Sequence, residues 1–493
     1  MRKTHLIRSI ATVSAIAALA SAGNAFAQSG SQHAQVSAEA AHAVSGPVSG
    51  MGVSTAPGIK ERREQPLRLF PQPPGQEKPD PVIQPDPGPA AATTTPTGFA
   101  GVGQGDYGFT DQFAPPDTTM AVGPTQVVQW VNASFAVFSK NGALLHGPVG
   151  GNTLFANLGG RCANDNDGDP IVQYDKLANR WVLTQFSVST TPYMQCVAVS
   201  QTSDALGAYN LYAFSYGSLF NDYPKLGVWP DGYYITFNYF TNTFQGAGLC
   251  VYDRAAMLAG LPATQQCFQT STSFGGVLPG DVDSAANPPA AGAPNPMISY
   301  GSNKLNLWRF HVDWANSANT TLTGPISIPV AAFTPACSGG GACIPQPNTN
   351  NRLDSLADRL MYRLAYRGRT AARTAESAVV SHTIKVSGNK RSEVDGVRWY
   401  EVGNLTSGTP IVYQQGTYAP NSTSRWMSSI AQDKNGNMAV GYSASSTGLF
   451  PSIYFTGRLA TDAVNTMQAP RAFSRPAADR KPGRCIVGAT TAR

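Results

Sequence analysis

An all-β fold, a β-propeller with six recognisable four-stranded blades, is what the sequence predicts, on two observations. First, residues 169–186, DPIVQYDKLANRWVLTQF, read as two short strands joined by a polar turn. The second of these alternates large and polar residues, as a half-buried strand does. Second, the design returns. Residues 226–229 turn through Pro-Asp-Gly into 233–239, 429–431 turn through Asp-Lys-Asn-Gly into 438–443, and 120–122 turn through Gly-Pro-Thr into 127–132. A hairpin repeated about every fifty residues suggests blades around a common axis.

The ends read differently from the body. Residues 1–27 have the form of a signal peptide: Arg2, Lys3 and Arg8, then an apolar run over 10–20, then Ala25-Phe26-Ala27 at the cleavage position. A secreted or periplasmic protein is expected. The apolar run is too short to span a bilayer, so no stable membrane insertion is expected. Residues 28–98, rich in Ala, Ser, Gln and Pro, read as a disordered or extended spacer. The propeller is assigned to 99–467 and a basic unstructured tail to 468–493. The formal charge of +6 is confined to the ends: the signal contributes +3 and residues 471–493 contribute +5, which leaves −2 for the body. A near-neutral body has no electrostatic footprint for nucleic acid.

Seven cysteines in an exported chain point to disulfides. The preferred pairs are the neighbours in sequence, Cys162 with Cys196, Cys250 with Cys267, and Cys337 with Cys343, leaving Cys485 over. Six cysteines allow 15 pairings, so this is a preference. No CxxC is present to suggest zinc.

Blade by blade, the first spans 117–150, with Asn141-Gly142 as a tight turn between its last two strands. The second runs over 169–216. The third runs over 223–269, with a short helical insertion at 253–260 before its last strand. The fourth, from 277 to 330, is looser and holds a Pro/Ala loop. The fifth opens in 353–367, where leucines at 353, 356, 360 and 364 fit a helix and alternating residues from Leu360 fit a strand. The strand is preferred, because the slot is that of an opening strand and three further strands follow. The sixth starts at Arg425-Trp426.

Six phrases carry a resemblance: PPDTTMAVGP (115–124), GDPIVQYDKLANRWVLTQF (168–186), DYPKLGVWPDGYY (222–234), LDSLADRLMYRLAYR (353–367), GVRWYEV (396–402) and RWMSSIAQDKNGNMAVGYS (425–443). With these the chain resembles secreted bacterial β-propeller proteins of unassigned activity, loosely similar to sialidase-type and BNR-repeat propellers. The resemblance implies a seven-bladed ring whose last blade opens with a phrase like Arg-Trp-Gly-Asp-Tyr-Ser. Here the chain departs. After Met467 it is basic and without strand alternation. Residues 486–493, read back through permissible codons in a shifted frame, yield Arg-Trp-Gly-Asp-Tyr-Ser-Ala. A frameshift after Met467 that removed the last blade is the preferred explanation; a natural basic tail is the alternative.

Residues just before each inner strand crowd one mouth of a propeller's channel. Asp117, Asp169, Lys225, Arg359 and Arg425 hold those places, joined by Asp281 or Asp283, Asp358 and Trp426. Mixed carboxylates and guanidiniums there suit an anionic sugar or a carboxylate, which Arg meets with a planar fork. The preferred account is simpler: each Asp caps a turn or ties blades together. Asp165, Asp167 and Asp169 form an oxygen-rich loop that would suit Ca²⁺, but the EF-hand register is missing, and a solvated Asn/Asp turn is preferred.

No Gly-x-Ser-x-Gly, no histidine pair at metal spacing and no sialidase Asp-box is present. The expected function is therefore a binding or scaffolding module for an extracellular glycan or surface polymer. The alternatives are a glycan-acting hydrolase with its site at the channel mouth and a non-functional truncated product.

Overall fold

The computed structural model describes residues 33–52, 79–90, 98–103, 105–109, 115–389 and 392–472. The signal peptide and Cys485 lie outside them, as does nearly all of the tail.

The molecule is a propeller-like ring of antiparallel sheets. Blade 1 is Thr119–Val122, Gln126–Val131, Ser134–Ser139 and Leu144–Gly150; blade 2 is Ile171–Asp175, Arg180–Ser187, Tyr193–Ser200 and Tyr209–Gly217. Blade 3 is Phe220–Trp229, Gly232–Phe240, Phe244–Tyr252 and Thr264–Gln269; blade 4 is Leu278–Val282, Asn295–Gly301, Lys304–His311 and Thr321–Pro329. Blade 5 is Met361–Arg367, Ser377–Ser387, Val394–Gly403 and Ile411–Tyr418. Blade 6 is Ser424–Gln432, Met438–Ser446 and Leu449–Arg458.

The opening segment of blade 5 is a strand, Met361–Arg367, as preferred. The insertion in blade 3 is the helix Arg254–Ala259, started by the Asp253 side chain accepting from the Ala256 N–H and ended by Gly260 in a left-handed conformation. All three expected disulfides are present: Cys162–Cys196, Cys250–Cys267 and Cys337–Cys343. Among the described residues no helix is long and apolar enough to cross a membrane.

Two segment boundaries are corrected. Within 28–98, Ala41–Val44 pairs with the outer strand of blade 2 and Gln35–Ala38 with that of blade 3, each as a fifth strand. Glu39 and Ala40 join the two blades through backbone hydrogen bonds to Ala263 and Ala213. Further on, Ile83–Gln84 runs parallel to the outer strand of blade 5. The composition misled because these strands are recruited by unpaired backbone groups on sheet edges rather than by apolar side chains. At the other end, Arg471–Ala472 pairs with Leu449–Arg458, so blade 6 extends past residue 467.

Hydrophobic cores lie between blades. One joins blades 1 and 2 around Trp130 and Trp181, and another joins blades 2 and 3 around Tyr212, Phe237 and Tyr252. A large one spans blades 3 to 5, and a fourth joins blades 5 and 6 around Trp399 and Tyr442. Inner strands pack side by side from blade 1 through blade 6, and blades 4 and 5 go further, with Gly280, Asp281 and Val282 pairing in parallel with Leu364, Ala365 and Tyr366. Among the described residues, the inner strands of blades 6 and 1 do not pack in this way. The free face of blade 1 is covered by Val102 and Phe109 instead, while Met120, Val122 and Ile453 stay exposed.

Inner strands approach closely at glycines. A Cβ on Gly227 would lie 2.4 Å from the carbonyl oxygen of Gly280 on the next blade. Gly227→Ala should therefore force the two inner strands apart and cost about 1–3 kcal/mol. Urea denaturation checks this; an unchanged midpoint would contradict the close approach.

Candidate functional site

Each inner strand has a left-handed residue ahead of it or, at Tyr223 and Met427, at an irregularity within it. Asp117, Asp169, Tyr223, Leu356 and Met427 have φ between 39° and 54°, and Gly276 does the same for blade 4 with φ 56°. This explains two of the mouth aspartates by backbone: Asp tolerates that conformation better than most residues. Asp117 is also held by Asn132, whose Nδ2 donates to its carboxylate at 3.1 Å and to the Pro115 carbonyl at 2.8 Å.

Of the five residues expected at the mouth, the structure brings two together. The Lys225 ammonium sits 3.2 Å from the centre of the Tyr223 ring, and the Arg359 guanidinium stacks on the same ring at 4.3 Å. Arg359 is fully buried and forks onto the Asp358 carboxylate at 2.6 and 2.9 Å. Burial alone would lower its pKa, but Asp358 more than reverses this and raises it. Asp117 and Asp169 start blades 1 and 2. Arg425 turns away between blades 5 and 6, near the rings of Tyr418 and Tyr442, and donates to Thr423 and Asn421.

The acidic loop is tied to its own blade. Asp165 accepts from the Ser187 hydroxyl and from Arg161, and Asp167 accepts from the Val188 and Ser189 N–H groups and the Ser189 hydroxyl. Donors, rather than a shared centre, surround these carboxylates. Asp165, Asp167 and Asp169 do not gather as a ligand set among the described residues.

The acids along the inner strands are engaged by cations. Arg363 on blade 5 bonds both Asp281 and Asp283 on blade 4, and Lys176 reaches Asp283 at 3.3 Å. Burial raises Asp281 despite Arg363, whereas for Asp283 the Arg363 and Lys176 charges outweigh burial and lower it. Asp175 is paired with Arg254 at 2.7 Å and accepts from the Tyr233 hydroxyl. Sequence reading missed Arg363 and Arg254, since an arginine alternating with apolar residues looks like a solvent-facing position.

Asp231, read only as part of a Pro-Asp-Gly turn, was missed as well. Burial pushes its carboxyl up to about 6, although the Tyr234 hydroxyl donates to it at 3.1 Å and His311 and Arg254 lie nearby.

The open cavity lies at the opposite end from the expected mouth. Its volume is about 360 Å³, and it is lined by Asn287, Arg369, Thr370, Ala371, Thr374 and Lys434. These residues come from the loops that join the first two strands of blades 4, 5 and 6. The loops are zipped together: Gly368 N–H donates to Asn287 O, Arg369 Nε donates to Asn287 Oδ1 at 2.6 Å, and Ala371 N–H donates to Lys434 O at 2.8 Å. The lining holds two cations, several neutral hydrogen-bonding groups and no carboxylate.

No protein-family model matches the sequence, and no curated protein matches it. The similarity to sialidase-type and BNR-repeat propellers thus has no family match behind it. Among solved structures, an exo-β-1,3-galactanase from Clostridium thermocellum aligns with 69% of this chain and 74% of its own, at 10% identity and a TM-score of 0.33. A likeness that loose decides neither ligand nor activity.

Asp231 makes a prediction. A carboxyl raised from about 3.9 when unfolded to about 6 when folded binds its proton more tightly in the native state. Its stabilising contribution is complete below pH about 4 and is lost as pH rises through about 6, a fall of roughly 2–3 kcal/mol. Asp231→Asn cannot titrate, so the variant should lack this part of the slope. Denaturation from pH 4 to 7 checks it; parallel curves for the two proteins would contradict the raised carboxyl.

Proposed function

We propose that this chain is an exported binding or scaffolding module for an anionic glycan or comparable extracellular polymer. The observation that carries the reading is the cavity built by the three zipped loops. Arg369 and Lys434 supply charge, and Asn287, Thr370 and Thr374 supply hydrogen bonds, around a space the size of one or two sugar rings. Its lining has no group that would serve as general acid or base, and the acids of the inner strands are held by Arg363, Arg254 and Arg359. Export rests on the signal-like start and agrees with the three disulfides.

A hydrolase is the second reading, and Asp231 favours it. A half-buried carboxyl whose pKa is raised to about 6 has the character of a general acid. Asp175 shares Arg254 with it as a neighbour.

Isothermal titration with polyuronate and sulfated oligosaccharides, alongside neutral ones, tests the first reading. Binding should be selective for the acidic polymers, and Arg369→Ala and Lys434→Ala should each weaken it about 10-fold, as expected for loss of a charge-assisted contact. Equal binding of neutral sugars, or no effect of either substitution, would refute it. Release of reducing ends that disappears in Asp231→Asn would favour the hydrolase.

A further inference from the structure

The loop between blades 4 and 5 carries the disulfide Cys337–Cys343, and against it lie Glu393 and Asp395 from the start of the third strand of blade 5. One ligand atom from each of the four lies within 4.8 Å of all the others. Cys343, Glu393 and Asp395 are buried, and Cys337 is half-buried. The arrangement is unusual in three respects. Two carboxylates share a buried site. The Asp395 Oδ1 is buried with no donor, while its Oδ2 lies 3.7 Å from Cys343 Sγ. The donors near the pair are the Cys337 N–H on Glu393 at 2.5 Å, the Ser424 side chain beside Asp395 and the charge of Lys385.

Two adjacent buried acids without enough donors need a shared proton or a cation. The oxidised sulfurs cannot act as thiolates, so the closed disulfide leaves only the two carboxylates as ligands. Once opened, the same four side chains present two sulfurs and two carboxylate oxygens in one small volume, a donor set and number that suit tetrahedral Zn²⁺.

We propose that Cys337, Cys343, Glu393 and Asp395 form a reduction-gated zinc site. A dithiol opens it: its two sulfurs close into their own disulfide, and the two electrons and two protons they give up convert Cys337–Cys343 to two thiols. Zn²⁺ then displaces the two thiol protons and is bound by two thiolates and two carboxylates. The half-buried Cys337 gives both the reductant and the metal their approach. The site lies at the strand-entry end of the ring, away from the loop cavity, and does not depend on what that cavity binds.

The test uses the full chain and zinc alone. A phosphine replaces the dithiol because it competes weakly for zinc; it leaves as its oxide with oxygen taken from water. Peptide mapping identifies which bond has opened, and circular dichroism reports the fold. The oxidised chain should retain no zinc after gel filtration. The chain opened at Cys337–Cys343 should retain one per molecule, and cobalt in its place should show thiolate charge-transfer bands. Asp395→Asn, with the cysteines intact, should weaken zinc binding at least about 10-fold. Four results would overturn the proposal: no uptake by the opened chain, uptake that survives the paired change Cys337→Ser and Cys343→Ser, uptake indifferent to Asp395→Asn, or unfolding when this bond opens.

Discussion

A sheet has two faces, and in this protein nearly every sheet must hide both. Gly232–Phe240 is buried along its whole length, and Tyr193–Ser200 nearly so, because blade 3 and blade 2 are each flanked by neighbours. The burial is supplied by the next blade rather than by a central core, so each hydrophobic cluster is a seam between two or three sheets. Large aromatics fill the seams: Phe214 stacks on Tyr252 at 4.1 Å, and Trp229 meets Tyr366 edge-on at 4.8 Å. The same requirement marks the place where the series of blades stops. Among the described residues blade 1 has no neighbouring sheet on one side, and the segment carrying Val102 and Phe109 folds back to cover its outer strands.

The inner strands obey a stricter constraint, since they come together at the axis. Glycine at 227 and 280 lets the backbones of blades 3 and 4 approach, and the parallel pairing of blades 4 and 5 fuses two blades into one sheet. Charge is placed where that fusion is tightest. Arg363 closes onto two aspartates across the blade boundary, and the Val228 N–H of blade 3 donates to Asp281 as well. A buried pair of this kind adds little net stability over an apolar core, but removing one partner would strand the other charge at a cost of several kcal/mol. Its contribution is to register: only one alignment of blades 3, 4 and 5 satisfies all of these groups.

How much of this was legible in the sequence follows from where the information resides. Strand–turn–strand units were legible because period and turn chemistry are local: Asp433 accepts from the Asn435 and Asn437 N–H groups, as its turn sequence implies. The disulfides were legible because sequence neighbours lie on adjacent strands, in one loop, or, for Cys162 and Cys196, on a short helix and the blade it precedes. Cys250 and Cys267 face each other directly across a strand pair. The outer strands Gln35–Ala38 and Ala41–Val44 were not legible, because an edge strand held by its backbone needs no apolar signature. The mouth residues were half legible. Asp117, Asp169 and Arg359 lie ahead of their inner strands, whereas Lys225 and Arg425 lie within theirs, and proximity depends further on side-chain direction, which no local pattern gives. Thus Lys225 and Arg359 meet on Tyr223, while Arg425 turns outward into a seam.

The two ends of the ring therefore differ in chemistry. At the entry end, Lys225, Arg359 and Asp358 are buried, with Arg359 paired to Asp358 and both cations against the Tyr223 ring, as groups that fix blade geometry are. At the hairpin-turn end, Arg369 and Lys434 stay exposed while their loops are fixed by backbone hydrogen bonds across three blades. Rigid backbone with solvated charge is the combination recognition favours: the cations keep their hydration until a ligand replaces it, and little conformational entropy remains to be lost.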